Sequence, residues 1–219
     1  MSNKELTIKE LKEKINNGDT RYYLPLAHLY RRRKNYLSAY KCYIKVIGQG
    51  HPYCARFICE MIGDGNLDKY LSKEEQFNWL LRFHDTYGVD YYTSVLAYWY
   101  KDGIGVQKDL KKYVYYLTEC ADDGSCCCLR ELAECYEKGI GVEQSYEKAY
   151  DLYSHYYDEH GKPDITCLYK EAYYMYHELG GAKKDMELIK RLLIRSGRFN
   201  KEARDFYKDI FNEDFPEDD

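Results

Sequence analysis

Apolar side chains recur along this chain at spacings of three, four and seven. Counting back from Tyr30, Met61, Tyr100, Tyr136 and Tyr176, the third and fourth positions hold Ala27 and Leu26, Ile58 and Phe57, Ala97 and Leu96, Ala133 and Leu132, then Tyr173 and Ala172. The seventh position back holds Tyr23, Cys54, Thr93, Leu129 and Tyr169. Such spacings share one helical face, the stripe a helix needs to be buried along one side. Behind each run comes a second, marked by pairs four apart: Ala39/Tyr43, Phe77/Leu81, Tyr113/Leu117, Ala149/Tyr153 and Ile189/Leu193. The pattern predicts an all-α protein of repeated helix pairs.

The connectors repeat as well. The stretch "YKDGIGVQKD" begins at Tyr100, and "YEKGIGVEQS" begins 36 residues later at Tyr136. A glycine loop that cradles phosphate is needed once, at a single helix start, whereas a loop with a fixed period belongs to an architecture. Gly103 and Gly139 are expected just past a helix end in the left-handed conformation. Gly105, Gly141 and Gly181 are expected at the second glycine position, with Asp109, Ser145 and Asp185 as the caps that start the second helices. Gly88, Gly124 and Gly161 close successive units.

Five units follow, at 20–50, 51–88, 89–124, 125–162 and 163–198. Residues 1–19 form an N-terminal capping helix, and 199–219 a C-terminal capping helix with a frayed acidic tail.

The motif is Ala-x-x-Tyr, then Gly-x-Gly-Val, an acidic or Ser cap, Lys-Ala or its equivalent and a closing Gly, carried best by Ala97–Gly124 and Ala133–Ala149. It resembles the Sel-one-like repeat family, relatives of the tetratricopeptide proteins; residues 163–198 match more loosely and the first two units in outline. The resemblance implies a right-handed α-solenoid that holds other proteins together as a scaffold or adaptor and carries out no chemistry. The alternative is an enzyme or ligand-regulated subunit. Some relatives bridge cysteines eight apart, a spacing met here at Cys120 and Cys128, and no disulfide is carried over. Proteins of this kind are common in intracellular bacteria, protists and giant viruses. The Lys-, Tyr-, Asn- and Ile-rich composition suits an AT-rich genome, so a host cytoplasm is one possible setting.

In arrays of this type the first helix of each pair lines the concave face. Carried onto this chain, that face holds Arg21, His28 and Arg31, then Tyr91, Tyr98 and Lys101, then Arg130 and Glu134, then Lys170, Tyr174 and His177. Tyr and Arg concentrate binding energy at interfaces. The stripe is therefore the expected partner site, suited to an extended or helical segment carrying carboxylates.

One connector invites metal chemistry. "DGNLDKYLSKEE" sets Asp64, Asn66, Asp68 and Glu75 at positions 1, 3, 5 and 12 of a calcium-type loop. However, Lys69 occupies the position where the sharp turn needs glycine. A polar inter-helix loop with Ser72 as a cap is the simpler expectation, and calcium control through 64–75 remains the alternative. Cys126, Cys127 and Cys128 are adjacent, lack a Cys-x-x-Cys spacing, and suit core positions better than zinc. His155 and His160 are five apart, off the helical zinc spacing.

Composition narrows the reading. Lys plus Arg number 33 against 37 acidic residues, a net charge of -4, which disfavours a nucleic-acid partner. No stretch is apolar for long enough to enter a membrane. The N-terminal residues lack an apolar signal core, so reduced cysteines in a cytoplasm are expected. No cofactor is called for. The 27 tyrosines are unusual; each brings a large ring with a polar tip.

Overall fold

In a computed structural model, residues 6–88, 91–124, 126–155 and 164–216 are described, apart from the side chains of Tyr91 and Cys126. Among them are twelve α-helices, short 3-10 turns and no strand. The chain forms two compact units, Met1–Gln107 and Lys108–Asp219.

The first unit contains α1 (Ile8–Asn16), α2 (Tyr23–Arg32), α3 (Tyr36–Gly48), α4 (Ala55–Gly63), α5 (Lys73–Tyr87) and α6 (Tyr91–Asp102). Each helix packs on the next in sequence. Helix α1 begins at Thr7, whose hydroxyl and Glu10 form a reciprocal capping box, so the chain enters the helix at a defined residue. Leu26, Ala27, Ala39, Tyr43, Ile58, Leu96 and Ala97 are buried, as the stripe requires. In α5 the buried side turns slightly from the Phe77/Leu81 expectation. Phe77, Leu80 and His84 point inward while Leu81 is half-buried. The His84 ring meets the Thr93 hydroxyl at 3.2 Å, which gives that inward polar group a partner.

The second unit contains α7 (Leu110–Asp122), α8 (Cys126–Lys138), α9 (Tyr146–Ser154), α10 (Ile165–His177), α11 (Met186–Gly197) and α12 (Lys201–Phe211). Its core joins Ala133, Ala149, Tyr153, Leu168, Ala172, Ile189, Leu193 and Ala203. Small alanines facing large rings let these helices approach closely. Asp109, Ser145, Asp164 and Asp185 cap α7, α9, α10 and α11 by accepting from backbone N–H groups.

The connector glycines have a clear physical task. A Cβ on Gly105 would strike the Lys73 carbonyl at the first turn of α5, and one on Gly141 would strike that of Leu110 in α7. Both glycines also have positive φ. The loop of one helix pair thus rests directly on the start of the preceding pair's second helix. In the last loop the equivalent residue is Gly180, which presses on the Tyr146 carbonyl of α9. This corrects the assignment of that position to Gly181, around which a Cβ would meet open space. The slip arises because Glu178 takes the left-handed position, φ 52°, that glycine holds at 103 and 139. Gly161 lies outside the described residues.

The C-terminal segment departs from the frayed tail expected. After Phe211 the chain turns back through Asn212 in the left-handed region, and residues 213–215 settle against α11 and α12. Its anchor is Phe215, whose ring gains burial only by folding back.

Candidate functional site

In the first unit the predicted residues separate. Arg21 donates twice to Asp19, at 2.9 and 2.8 Å, and so closes on its own helix cap. His28 is held by the Tyr43 hydroxyl at 2.9 Å and by the edge of Phe57 at 4.8 Å. Burial, then Arg31 and Arg32, lower its pKa, which keeps the ring neutral near pH 7. Arg31 lies over Phe57 and forms a 2.6 Å ion pair with Glu60 of α4. Lys101 sits over the Tyr98 ring at 5.6 Å. The Tyr91 side chain lies outside the described residues.

Two adjoining depressions meet at Arg31 and Asp64. One, of about 480 Å³, is lined by His28, Arg31, Arg32 and Tyr36; the other, of about 510 Å³, by Arg31, Glu60, Lys73, Tyr92 and Trp99. The lengthened loop after α4 forms their shared wall. The structure therefore brings His28 and Arg31 together with Lys73 and Trp99, which helical spacing did not reveal. Lys73 lies over the Trp99 ring at 5.6 Å. Neither Arg21 nor Lys101 lines these depressions.

That loop uses its polar groups locally. Lys73 Nζ donates to Asp68 at 2.6 Å, and Asn66 donates to Asp64 at 3.4 Å. Glu75 accepts from the Ser72 backbone at 2.8 Å in a capping box. Asp64, Asn66, Asp68 and Glu75 thus face turn and cap partners instead of a common centre. Among the described residues no group of three His, Cys, Asp or Glu is placed to hold a metal ion.

In the second unit two of the predicted charges, Arg130 and Lys170, tie neighbouring helices, and Glu134 pairs within its own. Arg130 of α8 reaches Asp164, the α10 cap, at 3.3 Å. Glu134 pairs with Lys138 one turn on. Lys170 of α10 meets both oxygens of Glu137 at 2.9 and 3.0 Å, and the Tyr153 hydroxyl donates to the same carboxylate at 2.9 Å. Tyr174, expected on the concave face, is fully buried among Tyr146, Tyr150 and Tyr153. The correction has a geometric cause: a ring two residues before Tyr176 turns toward α9. His177 is exposed, 4.4 Å from the Tyr173 ring and stacked on Phe206 of α12.

Two Ser-x-x-Lys spacings occur, at Ser38–Lys41 and Ser145–Lys148. The Ser145 hydroxyl accepts from the Lys148 backbone as a helix cap, and Lys148 Nζ lies over the Tyr136 ring. Cys42, Cys54 and Cys167 are buried thiols, and desolvation raises the pKa of each. No described helix is long and apolar enough to cross a membrane.

The sequence matches no family model and no curated protein. Solved structures do resemble it. A Sel1 repeat protein from Oxalobacter formigenes aligns over 89% of this chain and 79% of its own, at 19% identity and a TM-score of 0.68. A protective antigen of uropathogenic Escherichia coli strains, displaying an SLR fold, aligns over 94% of this chain and 52% of its own, at 19% identity and a TM-score of 0.65. The chain has the fold of these Sel1-repeat solenoids.

Proposed function

We propose that the chain is a protein-interaction scaffold without chemistry of its own. Its first-helix surface receives a partner segment that carries carboxylates. The observation behind this reading is the pair of depressions meeting at Arg31, where cations, the carboxylates paired with them and aromatic rings share an open surface on which a partner's carboxylates can exchange into the ion pairs. Shallow mixed surfaces of this kind suit polypeptides, whose anchors are rings and charges set in water-excluding surroundings. The Sel1-repeat fold fits the same reading. So do the serines and carboxylates that serve as helix caps. A reducing, cytoplasmic setting belongs to it too, supported by the buried thiols.

The test is charge reversal at Arg32→Glu and Lys101→Glu, together and separately, followed by quantitative affinity capture. Arg32 lines the depression and is exposed, so its reversal perturbs the fold less than loss of Arg31 and its Glu60 pair would. Loss of specific partners with Arg32→Glu, at unchanged melting temperature, supports the reading. An identical partner profile for all variants removes it.

A further inference from the structure

The C-terminal segment is seated like a ligand. Glu213 accepts from Lys190 Nζ of α11 at 2.8 Å and from the Tyr207 hydroxyl of α12 at 3.2 Å. Asp214 pairs with Lys208 at 3.2 Å. Phe215 presents itself to the Tyr207 ring edge-on, with centroids 5.5 Å apart. It also presses on Gly197, the last residue of α11, where an added Cβ would collide with the Phe215 ring. Gly197 has ordinary helical geometry, so the close approach of the ring, and no backbone need, explains the glycine there. Arg204 caps the α11 end at Gly197 O, 2.6 Å away, and fixes the slot from the other side.

This arrangement has the parts of a peptide site: a glycine-backed slot for one ring and cations for the flanking carboxylates. Its surroundings extend past residues 213–216. A cleft of about 850 Å³ beside Phe215 and Pro216 is lined by Arg198, Lys201, Arg204 and Lys208 against Asp205 and Asp214. The holding ion pairs are substantially exposed, with side chains 34% and 56% accessible in one and 52% and 99% in the other. Exposed pairs of this kind are weak individually. The Phe215 ring contact therefore anchors the segment, aided by a tether that keeps it at roughly millimolar effective concentration.

We propose that the groove between α11 and α12 is a recognition site for an acidic-aromatic protein segment of the Glu-Asp-Phe kind, occupied in cis by residues 213–216 and yielded to a partner protein bearing the same chemistry. The site is separate from the first-helix surface and does not depend on it. A partner competes by bringing the same ring and carboxylates to Gly197, Lys190 and Lys208, and further acidic residues can meet Lys201 in the adjoining cleft.

The test uses the full chain and a fluorescent peptide with the sequence of residues 211–216. Phe215→Ala weakens the cis occupant, so the peptide should bind this variant at least about tenfold more tightly than it binds the natural chain. Adding Lys190→Glu should reverse that gain, and a peptide in which the phenylalanine corresponding to Phe215 is replaced by alanine should not bind. A second variant, Phe215→Trp, keeps the ring docked and reports its release. Peptide addition should shift its emission to the red against the constant signal of Trp79 and Trp99. A folded Phe215→Ala chain that binds no better than the natural one overturns the proposal. So does an unchanged Phe215→Trp emission at saturating peptide, which decides the matter should Phe215→Ala fail to fold.

Discussion

Lys170 Nζ lies 2.9 Å from Glu137 Oε1, joining the first helices of two successive pairs, α8 and α10. Both side chains are largely shielded, 25% and 16% accessible, and the Tyr153 hydroxyl completes the carboxylate's coordination. Removing one member of a shielded pair costs more than the pair contributes net, because the other charge is left without its partner.

Glu137→Ala should therefore destabilise the second unit by about 3 kcal/mol. Lys170→Met should cost less, since the carboxylate keeps the Tyr153 hydroxyl. The double variant should cost less than the sum of the two, as coupled neighbours do. Urea denaturation of the three variants measures this; strict additivity would show that the tie carries no coupling.

The glycine at each inter-pair contact gives a second prediction. Gly141→Ala places a methyl group into the Leu110 carbonyl, at positive φ, and should cost about 3 kcal/mol or more. Gly124→Ala meets the same φ penalty in open space and should cost about 1 kcal/mol. Glu178→Gly relieves a left-handed residue and should gain a few tenths to about 1 kcal/mol. Thermal melts of the three variants give the order, and equal losses at 124 and 141 would contradict the stacking contact.

The helix pairs were legible in the sequence because burial of one helical face imposes the same spacing on each pair. Leu26/Ala27, Leu96/Ala97 and Leu132/Ala133 announce themselves in this way, and all are buried. The caps were legible for a similarly local reason, since Asp109 and Ser145 satisfy backbone groups two or three residues away. The candidate surface was harder to see. Arg31 meets Glu60 across two helices, and Lys73 reaches Trp99 from another, so only the packed fold sets these distances. The spacing that put Tyr174 on the exposed face ignored how α10 turns toward α9. The docking of Phe215 left one trace in the sequence, a glycine at 197, the last residue of α11, where the backbone keeps ordinary helical geometry and the ring of Phe215 takes the space of a side chain.

Tyr174 itself supports a third prediction. Its hydroxyl is buried and has no hydrogen-bond partner among the described residues, whereas the Tyr153 hydroxyl close by is bound to Glu137. A buried donor without an acceptor opposes folding, and a satisfied one favours it. Tyr174→Phe should thus leave stability unchanged or raise it by about 1 kcal/mol, and Tyr153→Phe should lower it by about 1–2 kcal/mol. The two changes remove the same atom from neighbouring rings, so a loss at both positions would mean that the Tyr174 hydroxyl has an acceptor after all.

The last prediction concerns acid. Burial pushes the Glu171 carboxyl of α10 from 4.5 up to about 7, with His155, just past α9, and Arg195 of α11 pulling the other way. In the folded chain the proton is kept to about pH 7, whereas the unfolded chain releases it near 4.5. The folded state therefore binds more protons across this interval, and stability must fall as pH rises through it. The contribution is fully present below about pH 4.5 and is lost once pH passes about 7. Glu171→Gln keeps the shape and removes the titration. At pH 8 the variant should be more stable than the natural chain by about 1–3 kcal/mol, and at pH 4.5 the two should match. Urea midpoints measured every half unit across that range give the difference curve directly. A difference that stays flat with pH would place the Glu171 carboxylate in contact with water or a cation throughout, and the buried acid would have to be abandoned.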